Sequence, residues 1–189
     1  MVAPVLPGYP WGPNEVVVKL YRTRIPAIAK AVIDNLCDGG DIDVEVENRD
    51  EGEQDLVSIM EEYLRRDYQL RDQVKDTMAA GGISYDQYGK MRNRMAEEWN
   101  HPTGDAVEKF LARQFVENFM ISRFVEEVYT EDAALWRKTL DIIRAHDVDE
   151  RVLRDEAKSL IKNEREGTVD YEIALQKSLR DVKKRRGLI

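Results

Sequence analysis

The sequence predicts an all-α protein of two similar helical lobes behind a Pro-rich, extended N-terminal arm. Three observations carry that prediction. Apolar residues recur at helical spacing along most of the 189 residues. Hydrophobic content of 42% stands beside 35% charge, the balance expected of helices with one packed face and one solvated face. A short motif also occurs twice: LRDQVK begins at Leu70 and LRDEAK at Leu153, 83 residues later.

Residues 1–14, MVAPVLPGYPWGPN, form the arm. Pro4, Pro7, Pro10 and Pro13 fall three residues apart, and a polyproline II helix has about three residues per turn, so the four rings would share one edge. Tyr9 and Trp11 add two aromatic groups. These six residues are the candidate partner-binding set: the plain reading of the segment is a loosely packed tail, and the sharper one is an arm that lies in a groove of this chain or of another protein. Glu15 to Tyr21, EVVVKLY, is β-branched and reads as an extended lead-in, which closes an arm segment at residues 1–19.

The first helix is expected after Thr23 as N-cap, with Pro26 in its first turn. It carries Ile28, Val32, Ile33 and Leu36 and stops at Gly39 and Gly40. DIDVEVE (41–47) alternates acid and apolar residues and reads as an extended segment with Ile42, Val44 and Val46 inward. It fails as a calcium loop, because Val46 and Gly52 stand where Gly and Glu are required.

Asp50 to Ala80 is the longest helical stretch. Leu56, Met60, Tyr63, Asp67, Leu70, Val74 and Thr77 follow the alternating four-and-three step of a packed helical seam, and Asp67 breaks its apolar pattern. Gly81 and Gly82 end the helix. Ser84 can cap the next one, which carries Tyr85, Tyr88, Met91, Met95 and Trp99. Pro102 and Gly104 mark the clearest internal boundary.

The most apolar run follows. Val107, Phe110, Leu111, Phe115, Phe119 and Ser122, widened by Val116 and Met120, predict a helix over 106–122 buried on more than half its circumference. Its interspersed charges rule out a membrane span. A helical region from Glu131, broken near Asp147–Asp149, carries Trp136, Leu140, Ile143, Leu153, Ala157 and Leu160. Thr168 caps a last helix with Tyr171, Ala174, Leu175, Leu179 and Val182, which ends in Lys183, Lys184, Arg185 and Arg186.

The offset of 83 residues carries most of the apolar pattern of one half onto the other. Ile28 falls on Leu111, Val32 on Phe115, Leu36 on Phe119 and Met60 on Ile143. The acid at Asp67 falls on Glu150. The chain therefore reads as two copies, 20–101 and 103–189, packed through their equivalent first helices.

The second copy also carries a resemblance. Glu166, Gly167, Thr168, Asp170, Tyr171, Glu172, Lys184, Arg185 and Gly187 match the closing pattern of a small bacterial family known only as domain of unknown function five hundred and seven. YRTRIPAIAKAVIDNL, from Tyr21, resembles that family's N-terminal helix. In the first copy the closing turn departs from the pattern, with ISYDQY after Gly82 and no basic end. The resemblance implies a helical bacterial cytoplasmic protein and brings no activity or functional residue with it.

The net charge of −8 makes the chain a poor ligand for nucleic acid, whose affinity comes mainly from Lys and Arg on phosphates. One cysteine, Cys37, excludes an internal disulfide framework, and the N-terminus lacks the order of a signal peptide, so a cytoplasmic protein is expected. Cys37 reads as a small buried hydrophobe. Glu98 and His101 make one Glu-x-x-His step, but His146 has Ile143 three residues before it, so a di-metal set is incomplete. His101 reads as a solvated helix end and His146 as a packing position. No phosphate loop, nucleophile elbow or zinc spacing is present, so no catalytic residue, metal or cofactor is expected.

Two features remain as candidate sites. Asp67 and Glu150 each put an acid in an apolar seam. Each is expected to turn outward or pair with a neighbouring Arg (Arg66 or Arg71, and Arg151 or Arg154) or to set register between helices. Lys183, Lys184, Arg185 and Arg186 form a basic end opposite in sign to the acidic stretch 41–62. The functional expectation is a non-enzymatic scaffold or assembly factor working through protein contacts or self-association. The second reading is a nucleic-acid- or ribosome-associated factor using the basic end.

Overall fold

The computed structural model describes residues 20–161 and 168–189. They form seven α-helices and one two-stranded ribbon: α1 (Ile25–Asp38), β1 (Ile42–Asp43), α2 (Arg49–Ala80), α3 (Tyr88–Glu98), α4 (Ala106–Phe119), β2 (Glu127–Val128), α5 (Asp132–Ala145), α6 (Glu150–Ser159) and α7 (Val169–Arg185). The fold is all-α, as the periodicity implies. No helix of the described residues is long and apolar enough to cross a membrane.

Packing divides the described chain into two compact units, neither continuous in sequence. Of the described residues, one takes 20–65 and 105–148, the other 66–104, 149–161 and 168–189, so α2 contributes its first half to one and its second half to the other. Each unit thus draws on both of the segments 20–101 and 103–189.

The first unit contains α1, α4 and α5 around one core. Ile25, Ile28, Val32, Ile33 and Leu36 of α1 meet Val107, Leu111, Phe115 and Phe119 of α4 and Leu135, Leu140 and Ile143 of α5, with Leu56 and Met60 from α2. Burial at three- and four-residue steps is what amphipathic helices sharing a core require. Gly40 (φ 68) ends α1 in the left-handed conformation and lets the Asp41 N–H reach the Leu36 carbonyl at 2.8 Å. Asp41 is thereby turned inward at the start of the ribbon, where Ile42 pairs with Val128 and Asp43 with Glu127, antiparallel.

Two expectations fail here. Ile42 and Val44 are buried, but Val46 is 80% exposed. A 3₁₀ turn over Val46–Asn48 leads straight into α2 and ends the alternation before it reaches Val46. The helix predicted over 106–122 stops at Phe119. The Ser122 hydroxyl donates to Asp55 at 2.8 Å and accepts from the Phe124 N–H at 3.3 Å, a local turn that competes with continued helix. Met120 and Ile121 are left exposed.

Thr139 on α5 is fully buried, and its hydroxyl has no hydrogen-bond partner among the described residues. Thr139→Val keeps the shape and removes the unmet polar group, so it should stabilise the protein by about 1 kcal/mol. An unchanged or lower urea midpoint would show that the hydroxyl is satisfied in solution.

In the second unit, Leu70, Val74 and Met78 of α2 pack on Tyr88, Met95 and Ala96 of α3, with Trp99 partly buried beside them. Met78, rather than Thr77, closes the α2 seam. The break foreseen near 147–149 separates α5 from α6, and the Asp149 carboxylate caps α6 by accepting from the Arg151 N–H at 2.8 Å. Thr168 caps α7, accepting from the Tyr171 N–H at 3.2 Å. Thr23 and Ser84 fall at or before 3₁₀ turns, and neither makes a side-chain cap. α6 and α7 pack together through Leu153, Ala157, Tyr171, Leu175 and Val182.

Candidate functional site

The most developed polar constellation among the described residues is built around Asp67. Its position on the α2 seam carries it inward, and it is only 6% exposed. The Arg92 Nη2 donates to its Oδ1 at 2.9 Å, and Arg71, one turn along α2, reaches Oδ2 at 2.6 Å. The His101 Nε2 lies 3.4 Å from Oδ1. Burial opposes the charge on Asp67. The close approach of His101 and the guanidinium groups of Arg71 and Arg92 outweigh it and hold the pKa at about 2. Neighbouring Arg66 donates to the Trp99 carbonyl at 3.0 Å and so ties the end of α3 to α2.

The carboxylate therefore pairs, and Arg71 is one of the partners expected from its own helix. The principal one, Arg92, comes from α3. It stands on the buried stripe formed by Tyr88, Met95 and Ala96, so a cation on the apolar face of α3 answers the acid on the apolar face of α2. That placement was readable in the spacing, since Tyr88, Arg92, Met95 and Trp99 follow one helical face.

His101 is a correction. It is 5% exposed, not a solvated helix end. Asn100 adopts a left-handed conformation (φ 48), and the His101 N–H then bonds the Ala96 carbonyl at 2.8 Å. This is the helix ending that Gly40 makes after α1, and in both cases the residue after the turn is sent inward.

Glu150, the other acid singled out, is the first residue of α6 and is half-buried. Lys183 of α7 reaches it at 3.0 Å and is itself largely buried. The basic end is mostly engaged: Arg186 and Arg185 meet Glu156 at 2.6 and 3.3 Å, and Lys184 is exposed with no ion-pair partner among the described residues.

Two further buried acids lie in the first unit: Asp41, which the alternating reading of 41–47 put in water, and Glu108, which the sequence singled out only as a charge interrupting an apolar run. Asp41 accepts from the Lys138 Nζ at 2.6 Å and the Thr130 hydroxyl at 2.5 Å. Burial pushes its pKa up, and these two bonds bring it below the usual carboxylate range. Glu108 pairs with the Arg144 Nε at 3.0 Å. It borders a cleft of about 20 Å3, room for one water, with Tyr21, Ile28, Val107, Leu111 and His146. His146 is half-buried, its Nδ1 3.0 Å from the Ile142 carbonyl. Cys37 packs at the edge of the core, and burial raises its pKa.

Pro4, Pro7, Tyr9, Pro10, Trp11 and Pro13 lie outside the described residues. No group of three or more His, Cys, Asp or Glu side chains placed to hold a metal occurs among the described residues. The geometry defines a class: a helical protein whose internal carboxylates join helices through arginine and lysine.

The chain belongs to a family of proteins of unknown function, DUF507, whose family model matches residues 18–188. No curated protein matches it.

Proposed function

We propose that the protein is a non-enzymatic scaffold or assembly factor of the bacterial cytoplasm, acting through protein–protein contacts. The observation that carries this reading is the apolar surface left in water beside well-filled cores. Ile121 is 83% exposed next to exposed Met120, Val46 is 80% exposed, and Ile173 is 63% exposed on α7. The adjacent pair Met120 and Ile121 just past the end of α4 is the part of this surface that suits contact with another protein.

A duplicated origin fits the same reading. α1 and α4 have 14 residues each, and the offset of 83 brings the start of α2 at Arg49 onto the start of α5 at Asp132. The reading through the basic end is the weaker one, because Lys183, Arg185 and Arg186 already neutralise Glu150 and Glu156.

The test is a pull-down from the native host's lysate, nuclease-treated and untreated, with the intact chain and Ile121→Asp. A stoichiometric partner that survives nuclease and is lost with the substitution is expected. Recovery of nucleic acid or ribosomal proteins alone, abolished by nuclease and insensitive to Ile121→Asp, would overturn the proposal.

A further inference from the structure

The outer surface of α2 and the turn before α3 carries a patch of tyrosines. Tyr68 is 66% exposed and Tyr85 is 55% exposed. Tyr85 stacks on Tyr88 with ring centroids 5.5 Å apart and planes 23° from parallel, so buried Tyr88 forms the floor beneath an exposed ring. Tyr88 packs against α2 beside Leu70 and Val74, the stretch of that helix that also carries Tyr68 and Lys75. The cations around it are committed to carboxylates: Arg71 and Arg92 to Asp67, and Lys75 to Asp72 at 3.2 Å. What the patch offers a ligand is aromatic face and phenol hydroxyl, not net charge. A phosphate backbone gains little from such a surface. An uncharged, ring-rich peptide gains stacking area and hydrogen bonds to its carbonyls.

We propose that this tyrosine patch is the docking site of the Pro-rich N-terminal arm, residues 1–14 of this chain. The arm lies outside the described residues, and its sequence supplies the match. It carries no Asp, Glu, Lys or Arg, and its four prolines fall three residues apart around Tyr9 and Trp11. In a polyproline II helix, such prolines recur every ~9 Å and the backbone makes no internal hydrogen bonds, so its carbonyls are open to tyrosine hydroxyls. Tyr68 and Lys75 stand two turns apart on α2, a separation of ~10 Å. Successive proline rings can therefore meet successive points of the patch. The proposal does not rest on the scaffold reading, and it holds whether or not a second protein is present.

The test uses the intact chain labelled with 5-fluorotryptophan and observed by fluorine NMR. Trp11→Phe assigns the Trp11 resonance, and Trp99 and Trp136 report on the integrity of the two units. In the parent chain, the Trp11 resonance should be displaced from its position in a synthetic peptide of residues 1–14. Tyr68→Ser with Tyr85→Ser should return it to the peptide position, leaving the other two resonances in place. Dilution that also returns it would assign the contact to the arm of a second copy, and insensitivity to dilution to the chain's own arm. A parent Trp11 resonance coincident with the free peptide would overturn the proposal. So would a displaced resonance unmoved by Tyr68→Ser alone and by the double substitution. Oligouridylate that perturbs the tyrosines while Trp11 stays at the peptide position would assign the patch to single-stranded nucleic acid instead.

Discussion

Asp67→Ala should destabilise the protein by about 3–5 kcal/mol, the usual result of removing one partner of a buried ion pair. Arg92 is 5% exposed, and the substitution takes away the carboxylate that neutralises it. Urea unfolding followed by Trp99 fluorescence reads the effect directly, because Trp99 borders the same core and its carbonyl is held by Arg66. A loss below about 1 kcal/mol would place the pair among exposed ones. The same carboxyl sets an acid limit. Its pKa is about 2 in the folded chain, against 3.8 as the ordinary value. A depressed pKa contributes stability that is fully present above the ordinary value and is lost as pH falls through the folded one. The contribution is about 2 kcal/mol, fading between roughly pH 4 and 2. Asp67→Asn should remove that part of the acid response. An identical acid response in parent and variant would show that other carboxyls carry it.

Phe115→Ala should cost about 3–5 kcal/mol, from lost burial plus the cavity left behind. Phe115 is fully buried where α1, α4 and α5 share their core, so few neighbours can relax into the space without disturbing another helix. Trp136 on α5, whose indole N–H donates to the Lys109 carbonyl at 3.3 Å, reports on this unit. A urea midpoint within error of the parent would mean that the core collapses around the gap or is not the one described.

Much of the helical skeleton was legible because one-dimensional spacing encodes it. Leu56, Met60, Tyr63, Leu70 and Val74 announce the buried face of α2, and Asp147 to Asp149 announce the break before α6. Asp67 stood out for the same reason. Its main partner did not, because spacing along one helix says nothing about which residue of another helix faces it. Arg92 shows its place on the buried face of α3 in the spacing, but its pairing with Asp67 appears only once α3 is laid on α2. Asp41 and His101 were hidden differently. Each follows a left-handed residue that reverses the chain, and a periodicity reading stops at the helix end, before the residue that turns inward. The first strand of the ribbon lies in the stretch read as extended, but its partner was lost because a strand two residues long has no period to detect, and Val46 was misplaced because the chain turns into a 3₁₀ helix at that residue.

The discontinuity of both units carries a consequence for synthesis. α1 leaves the ribosome with Ile28, Val32, Ile33 and Leu36 ready to be covered, but the core residues of α4 and α5 run from Val107 to Ile143. At roughly 5–20 residues per second, the nascent chain spends several seconds with that face open. α2 and α3 can meet early through Asp67 and Arg92, whereas α1 has only the ribbon strand and the first half of α2 against its apolar face until partners more than seventy residues away arrive. The order of assembly is therefore the reverse of the order of translation for the first helix. A chain stalled near Gly104 would present an apolar helix in need of a chaperone rather than a finished half.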